Sequence, residues 1–173
     1  MPQALELRSL SLQDALDLAI LLEEEARARY REYAGMMGQR LATQASGMFH
    51  AMAAGEARHA AQLAARRRAL FADAPRRVDP GLVTEVEAPD ARATHVLLSP
   101  REAVEAALVA EERSHGFYAA ALPLVRDPEV RALFSEIAAA EERHEAFLRE
   151  LLRRVPDAVE DPWVEETGSD PGS

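Results

Sequence analysis

The sequence contains no cysteine. Disulfides, thiolate zinc sites, iron–sulfur clusters and cysteine nucleophiles are therefore excluded together. Any metal bound by this chain must be held by carboxylate and imidazole groups. Lysine is also absent, so all 20 basic residues are arginine. Arginine alone forms no basic stripe here, and the net charge is −10, which argues against nucleic acid as a partner. No apolar run approaches the roughly 20 residues of a membrane span, and the start "MPQALELRSLS" lacks a basic-then-apolar leader pattern. A cytoplasmic location is the expectation. Aromatic residues make up only 5% of a chain that is 48% hydrophobic. Much of that hydrophobic content is alanine, a strong helix former and a poor strand former. An all-α fold with closely packed helices follows, in a chain long enough for one sizeable core.

Four helices are legible. Ser11 is placed to cap the first, with Asp14 in its first turn. That helix is expected to run to about Met37, with Gly35 and Gly38 marking its end. The second spans Arg40 to Phe71 and stops before Pro75. Ser99, Pro100 and Glu102 supply an N-cap, an N1 proline and a capping-box glutamate for the third, which ends near Pro123. Asp127 and Pro128 open the fourth, which ends before Pro156. The stretch 72–98 is unusually long for a loop in a compact domain, but suits a bundle in which one connection crosses its full length. "LVTEVE" within it could form a short strand. Residues 1–155 are read as one bundle domain and 156–173 as a disordered acidic tail. Asp157, Glu160, Asp161, Glu165, Glu166 and Asp170 of the tail have no basic partner there, and Trp163 could dock on the body or on a partner.

The strongest signal is an internal repeat. "MFHAMAAGEARHAAQL" in the second helix matches "LFSEIAAAEERHEAFL" in the fourth. Phe49 pairs with Phe134, Met52 with Ile137, Glu56 with Glu141, His59 with His144 and Leu63 with Leu148, all at an offset of 85. Helices one and three match at an offset of 88, aligning Glu23 and Tyr30 with Glu111 and Tyr118. Two helical hairpins thus look like copies of one unit. Helices one and two, and helices three and four, are expected to pair antiparallel, with a pseudo-twofold axis relating the two pairs.

Positions i, i+3, i+4 and i+7 of a helix share a face. Glu56 shares its face with Phe49, Met52, His59 and Leu63, and Glu141 with Phe134, Ile137, His144 and Leu148. Glu23 lies with Ala19, Ala26 and Tyr30, and Glu111 with Ala107, Leu108, Ser114 and Tyr118. Each of the four glutamates is on an apolar stripe, where a lone carboxylate costs several kcal/mol or stays protonated. Two divalent ions would neutralise the four charges. One glutamate from each of two helices, plus Glu-x-x-His from each of the other two, is the ligand set of ferritin-like di-iron bundles. A single Glu-x-x-His would be an ordinary surface pair in a chain with 21 glutamates, and Glu112–His115 is such a copy outside the repeat. Two copies in register, each among matched apolar neighbours, are not. Tyr30 and Tyr118 fit either plain core packing or a hydrogen bond to a ligand carboxylate. His115 reads as a surface residue or one just outside the site, and His50 and His95 as ordinary. Arg66, Arg67 and Arg68 read as a solvated helix end.

The segments "EEEARARY", "GEARH", "EERSHGFY" and "AEERH" resemble the rubrerythrin family of the ferritin-like superfamily, over residues 10 to 154. The resemblance implies an all-α ferritin-like four-helix bundle holding two iron ions, although manganese also suits an oxygen-rich site. It implies that Glu56 and Glu141 bridge the ions, that Glu23 and Glu111 are terminal ligands, and that His59 and His144 each cap one ion. It also implies reduction of H₂O₂ or O₂. Two departures stand out. The family's extra glutamate, which exchanges with a histidine during peroxide turnover, is replaced by Ser114, whose symmetry mate is Ala26. The four cysteines of a rubredoxin domain are missing, so electrons are expected from an external donor such as a rubredoxin-like or flavin protein. Handling of Fe²⁺ by oxidation, delivery or storage is the competing reading, and a metal-stabilised adaptor bundle a third. All six ligands lie in one chain, so a homodimer is compatible with the site but not required by it.

Overall fold

The computed structural model describes residues 10–39, 43–78, 81 and 99–155. Among them are four helices and no strand: α1 (Leu12–Gln39), α2 (Thr43–Phe71), α3 (Pro100–Ala121) and α4 (Pro128–Leu152). The possible strand in "LVTEVE", the rest of the long connection and the acidic tail lie outside the described residues.

Helix starts follow their capping residues. The Ser11 hydroxyl accepts from Asp14 N–H at 3.1 Å, while Asp14 Oδ2 accepts from Ser11 N–H, also at 3.1 Å. Ser99 and Glu102 make the same reciprocal pair at α3, at 3.2 and 2.8 Å. Asp127 Oδ1 accepts from Glu129 and Val130 N–H at α4. Each cap satisfies donors that the first helical turn leaves without partners. α1 ends at Gln39, one residue past Gly38 and close to the expected end near Met37. Gly35 lies inside the helix, where a glycine costs only about 1 kcal/mol.

The core consists of two apolar clusters. One gathers Leu16, Leu18 and Ile20 of α1, Leu63 of α2, Phe117, Tyr118 and Ala121 of α3, and Val130, Phe134 and Ile137 of α4. The other gathers Tyr30, Tyr33 and Ala34 of α1, Ala45, Phe49 and Met52 of α2, Ala103, Val104 and Ala107 of α3, and Leu148 of α4. Helix direction follows from this sharing. α1 and α4 run from the first cluster to the second, and α2 and α3 run from the second to the first. Each hairpin is therefore antiparallel. α2 thus ends at the first cluster and α3 begins at the second, at opposite ends of the bundle, as in ferritin-like folds.

The repeat is visible in the packing. Tyr30 stacks on Phe49 with ring centroids 5.8 Å apart, and Tyr118 meets Phe134 edge-on at 5.1 Å. Phe49, Phe134, Leu63 and Leu148 are all fully buried. Each large apolar side chain removed from water contributes about 1.5–3 kcal/mol, so these two clusters are the main packing that joins the helices.

Two of the three arginines at the end of α2 are not solvated charges. Arg66 pairs with Asp127 and Glu129, each at 2.8 Å, and so ties α2 to the start of α4. Arg67 pairs with Asp17, which is wholly buried on α1, and also donates to Ala74 O at 2.8 Å. Asp17 sits on the apolar face of α1 where a single carboxylate needs a charged partner, and that need draws Arg67 inward.

Candidate metal centre

Between the two apolar clusters lies a polar layer. Glu23, Glu56, His59, Glu111 and Glu141 are buried, and His144 is mostly so. Helix periodicity puts them there: each is one to two turns from an apolar residue already in the core. His59 Nδ1 lies 3.2 Å from Glu23 Oε2, and His144 Nδ1 lies 3.1 Å from Glu111 Oε2. The two hairpins thus present the same carboxylate–imidazole pair.

Glu56 stands between the pairs. Its Oε2 is 3.4 Å from His59 Nδ1 and its Oε1 is 3.2 Å from His144 Nδ1. The carboxylate is fully buried, yet neither oxygen accepts a well-aligned hydrogen bond among the described residues. Two triads result, Glu23–Glu56–His59 and Glu56–Glu111–His144, each with donor atoms within 4.8 Å of one another. Glu56 belongs to both. Glu141 is less central, with its Oε2 3.9 Å from His144 Nδ1 and its carboxyl directed at Glu111.

The electrostatics are those of a crowded acidic core. Burial pushes Glu23 up to about 8, with Glu56 adding to the rise and His59 opposing it. Burial, with Glu111 beside it, puts Glu141 well above the carboxylate range. Burial would also raise Glu56, but His59, Glu23 and His144 together hold it below its ordinary value. Burial disfavours the charged form of His59, but Glu23 and Glu56 outweigh that and raise it to about 9. His144 is raised against its own burial by Glu111 and Glu56. Protons therefore partly neutralise the layer where cations otherwise could.

Tyr118, fully buried, donates its hydroxyl to Glu23 Oε1 across the bundle. Burial and then Glu23 push that phenol well above its usual pKa, so it stays a donor. Its repeat mate Tyr30 is equally buried, but its hydroxyl has no hydrogen-bond partner among the described residues. His115 pairs with Glu145 at 2.8 Å, and Arg149 reaches both Glu145 and Glu112, each at 2.8 Å. The burial of Glu145 is not evident from the sequence. Its one signal is its place a helical turn after Glu141. Ser114 is buried in the layer and His50 is exposed, while His95 lies outside the described residues.

The donor set fits a metal site. Glu56 is fully buried between two imidazoles with no well-aligned hydrogen bond to either oxygen among the described residues, and cations placed there would complete its partners. Fold and site together define a ferritin-like four-helix bundle with a carboxylate–histidine centre. Residues 14–152, most of the chain, match the Rubrerythrin family model, and the chain belongs to that family. Among solved structures, a protein of uncharacterised function from Magnetospirillum magnetotacticum MS-1 is 29% identical, with a TM-score of 0.71 over 87% of this chain and 99% of that one. A hypothetical protein from Pyrococcus furiosus is 21% identical, with a TM-score of 0.65 over 83% of this chain and 89% of that one. A dodecameric thioferritin, the bacterioferritin-related protein of Bacteroides fragilis, is 22% identical, with a TM-score of 0.65 over 87% of this chain and 88% of that one. No curated protein matches. Among the described residues, no helix is long and apolar enough to cross a membrane.

Proposed function

We propose that this chain holds two iron ions between its hairpins and reduces H₂O₂ or O₂ with electrons from a separate donor protein. The observation that carries this reading is Glu56, shared by two matched Glu–His pairs and without a well-aligned hydrogen bond to either oxygen among the described residues. Glu23 and His59 would hold one ion, and Glu111 and His144 the other. Glu56 would span the two, and Glu141 would join it from the opposite hairpin. Two ferrous ions held there would supply one electron each, and with two protons these two electrons reduce one H₂O₂ to two waters.

The surrounding residues have defined tasks. The apolar clusters above and below exclude water and keep the ligand helices in register. Tyr118 fixes the orientation of Glu23 through its hydroxyl. Without cysteine, the chain holds no thiolate-bound iron to relay electrons, and its one tryptophan, Trp163, lies outside the ligand helices. Re-reduction therefore falls to a rubredoxin-like or flavin protein.

Iron handling is the second reading, favoured by Ser114. It is a buried hydroxyl where the peroxide-reducing pattern has a carboxylate. Anaerobic stopped-flow mixing of the di-ferrous protein with H₂O₂, and separately with O₂, separates these readings. The redox reading expects one turnover, then arrest until donor is supplied. Net accumulation of ferric iron beyond two per chain would favour iron handling. Failure of both oxidants to oxidise the protein within minutes would leave a structural metal as the remaining role.

A further inference from the structure

The repeat makes the two halves of the centre comparable residue by residue, and they differ. The donor pairs match closely, with His59 Nδ1 3.2 Å from Glu23 and His144 Nδ1 3.1 Å from Glu111. Exposure does not match: the His59 side chain is 1% exposed and that of His144 is 18% exposed.

The anchoring differs in the same direction. Tyr118 of α3 holds Glu23 of α1. The pseudo-twofold pairs Tyr30 of α1 with Glu111 of α3, but the Tyr30 hydroxyl has no hydrogen-bond partner among the described residues although it is wholly buried. Glu111 therefore lacks the tyrosine anchor that Glu23 has.

The seams outside the two halves differ as well. Along α3/α4, Glu145 is held by His115 and Arg149, and Arg149 also reaches Glu112. At the repeat positions of α2, Glu145 and Arg149 correspond to Ala60 and Ala64. Both seams carry charged groups on their outer rims, with Glu24 and Arg27 of α1 at the repeat positions of Glu112 and His115, but only the α3/α4 seam has a buried carboxylate, Glu145, beside the ligand layer, where α2 has Ala60.

We propose that the two halves are unequal toward metal: the Glu111–His144 half exchanges its ion with solvent through the α3/α4 seam, and the Glu23–His59 half is closed. This rests on the reading of the cluster as a two-ion site. Sealing the first half would need Tyr30 to take Glu111 as Tyr118 takes Glu23.

The full chain, stripped with chelator and reloaded with Co²⁺, tests this by its absorption. Bound Co²⁺ is counted, and its loss into excess EDTA is followed by stopped flow. Two equivalents should bind and leave in two phases of equal amplitude, with rates about tenfold or more apart. His144→Ala should keep one equivalent, which leaves at the slow rate. Glu145→Leu, outside the ligand set, should slow the fast phase about tenfold and leave the slow phase unchanged. It decides the matter if His144→Ala fails to fold. Loss of both equivalents in one phase, survival of the fast phase in His144→Ala, or unchanged rates in Glu145→Leu would overturn the inequality while leaving the two-ion reading intact. Binding of fewer than two equivalents by the unaltered chain would remove both.

Discussion

Raising the pH of the chelator-stripped protein should loosen it, because its polar core is held by protons. Glu23 has a folded pKa of about 8 against an ordinary 4.5. Its protonated form is favoured on folding, so that contribution is complete below 4.5 and is lost as pH rises through 8. His59 has a folded value of about 9 against 6.5, so the stability from its charged form is complete below 6.5 and is lost as pH rises through 9. Both losses run in the same direction across neutral pH. Glu56 acts oppositely, since its lowered value gives stability that is lost on acidification. Glu23 and His59 share a hydrogen bond, so their effects do not add. Together they amount to something on the order of 4 kcal/mol between pH 5.5 and 9. For a bundle of this size that is about 10 °C in melting temperature. Circular dichroism melts of stripped protein at pH 5.5, 7 and 9 would measure it. The metal-loaded form should show the reverse slope, because metal competes with the same protons. A stripped protein whose melting temperature is flat or rises over this range would refute the reasoning.

Other perturbations test separate parts of the structure. Glu56→Ala should abolish binding of the ion pair, leaving at most one equivalent by metal analysis; two equivalents retained would remove Glu56 from its shared position. Arg67→Ala should cost about 3 kcal/mol in urea unfolding, because it leaves the wholly buried Asp17 uncompensated. Tyr118→Phe should release Glu23 at a cost of about 1 kcal/mol in the stripped protein, whereas Tyr30→Phe, which removes no hydrogen bond, should cost nothing measurable.

The internal repeat makes the bundle legible in the sequence. Its offsets indicate which helices pair, and the caps at Ser11, Ser99 and Asp127 mark where three of them begin. Helix ends are legible to within a few residues: α1 stops at Gln39, one residue past Gly38, and only Gly35 is carried inside it, where packing of α1 on α2 outweighs the propensity of one glycine. Convergence of the four glutamates and two histidines follows from their shared apolar faces. The distinction between Glu56 and Glu141 does not, because periodicity treats repeat mates as equal and only the three-dimensional packing shows which one lies between the imidazoles. Asp17 and Glu145 are hidden for a related reason. The partner of Asp17, Arg67, is 50 residues away and nothing in the sequence pairs them, while Glu145 and Arg149 at i, i+4 read as an ordinary surface pair until His115 and the packing show that Glu145 is buried. The arginines after Ala65 read as solvent-facing for the same lack of visible partners.

The central claim is that two metal ions lie between the hairpins. A crystal structure of anaerobically iron-loaded protein, with anomalous data collected at the iron edge, addresses it most directly. Two peaks are expected, one against Glu23 and His59 and the other against Glu111 and His144, with the Glu56 carboxylate between them. A single peak, or peaks outside the layer bounded by Phe49 and Phe134, would contradict the account.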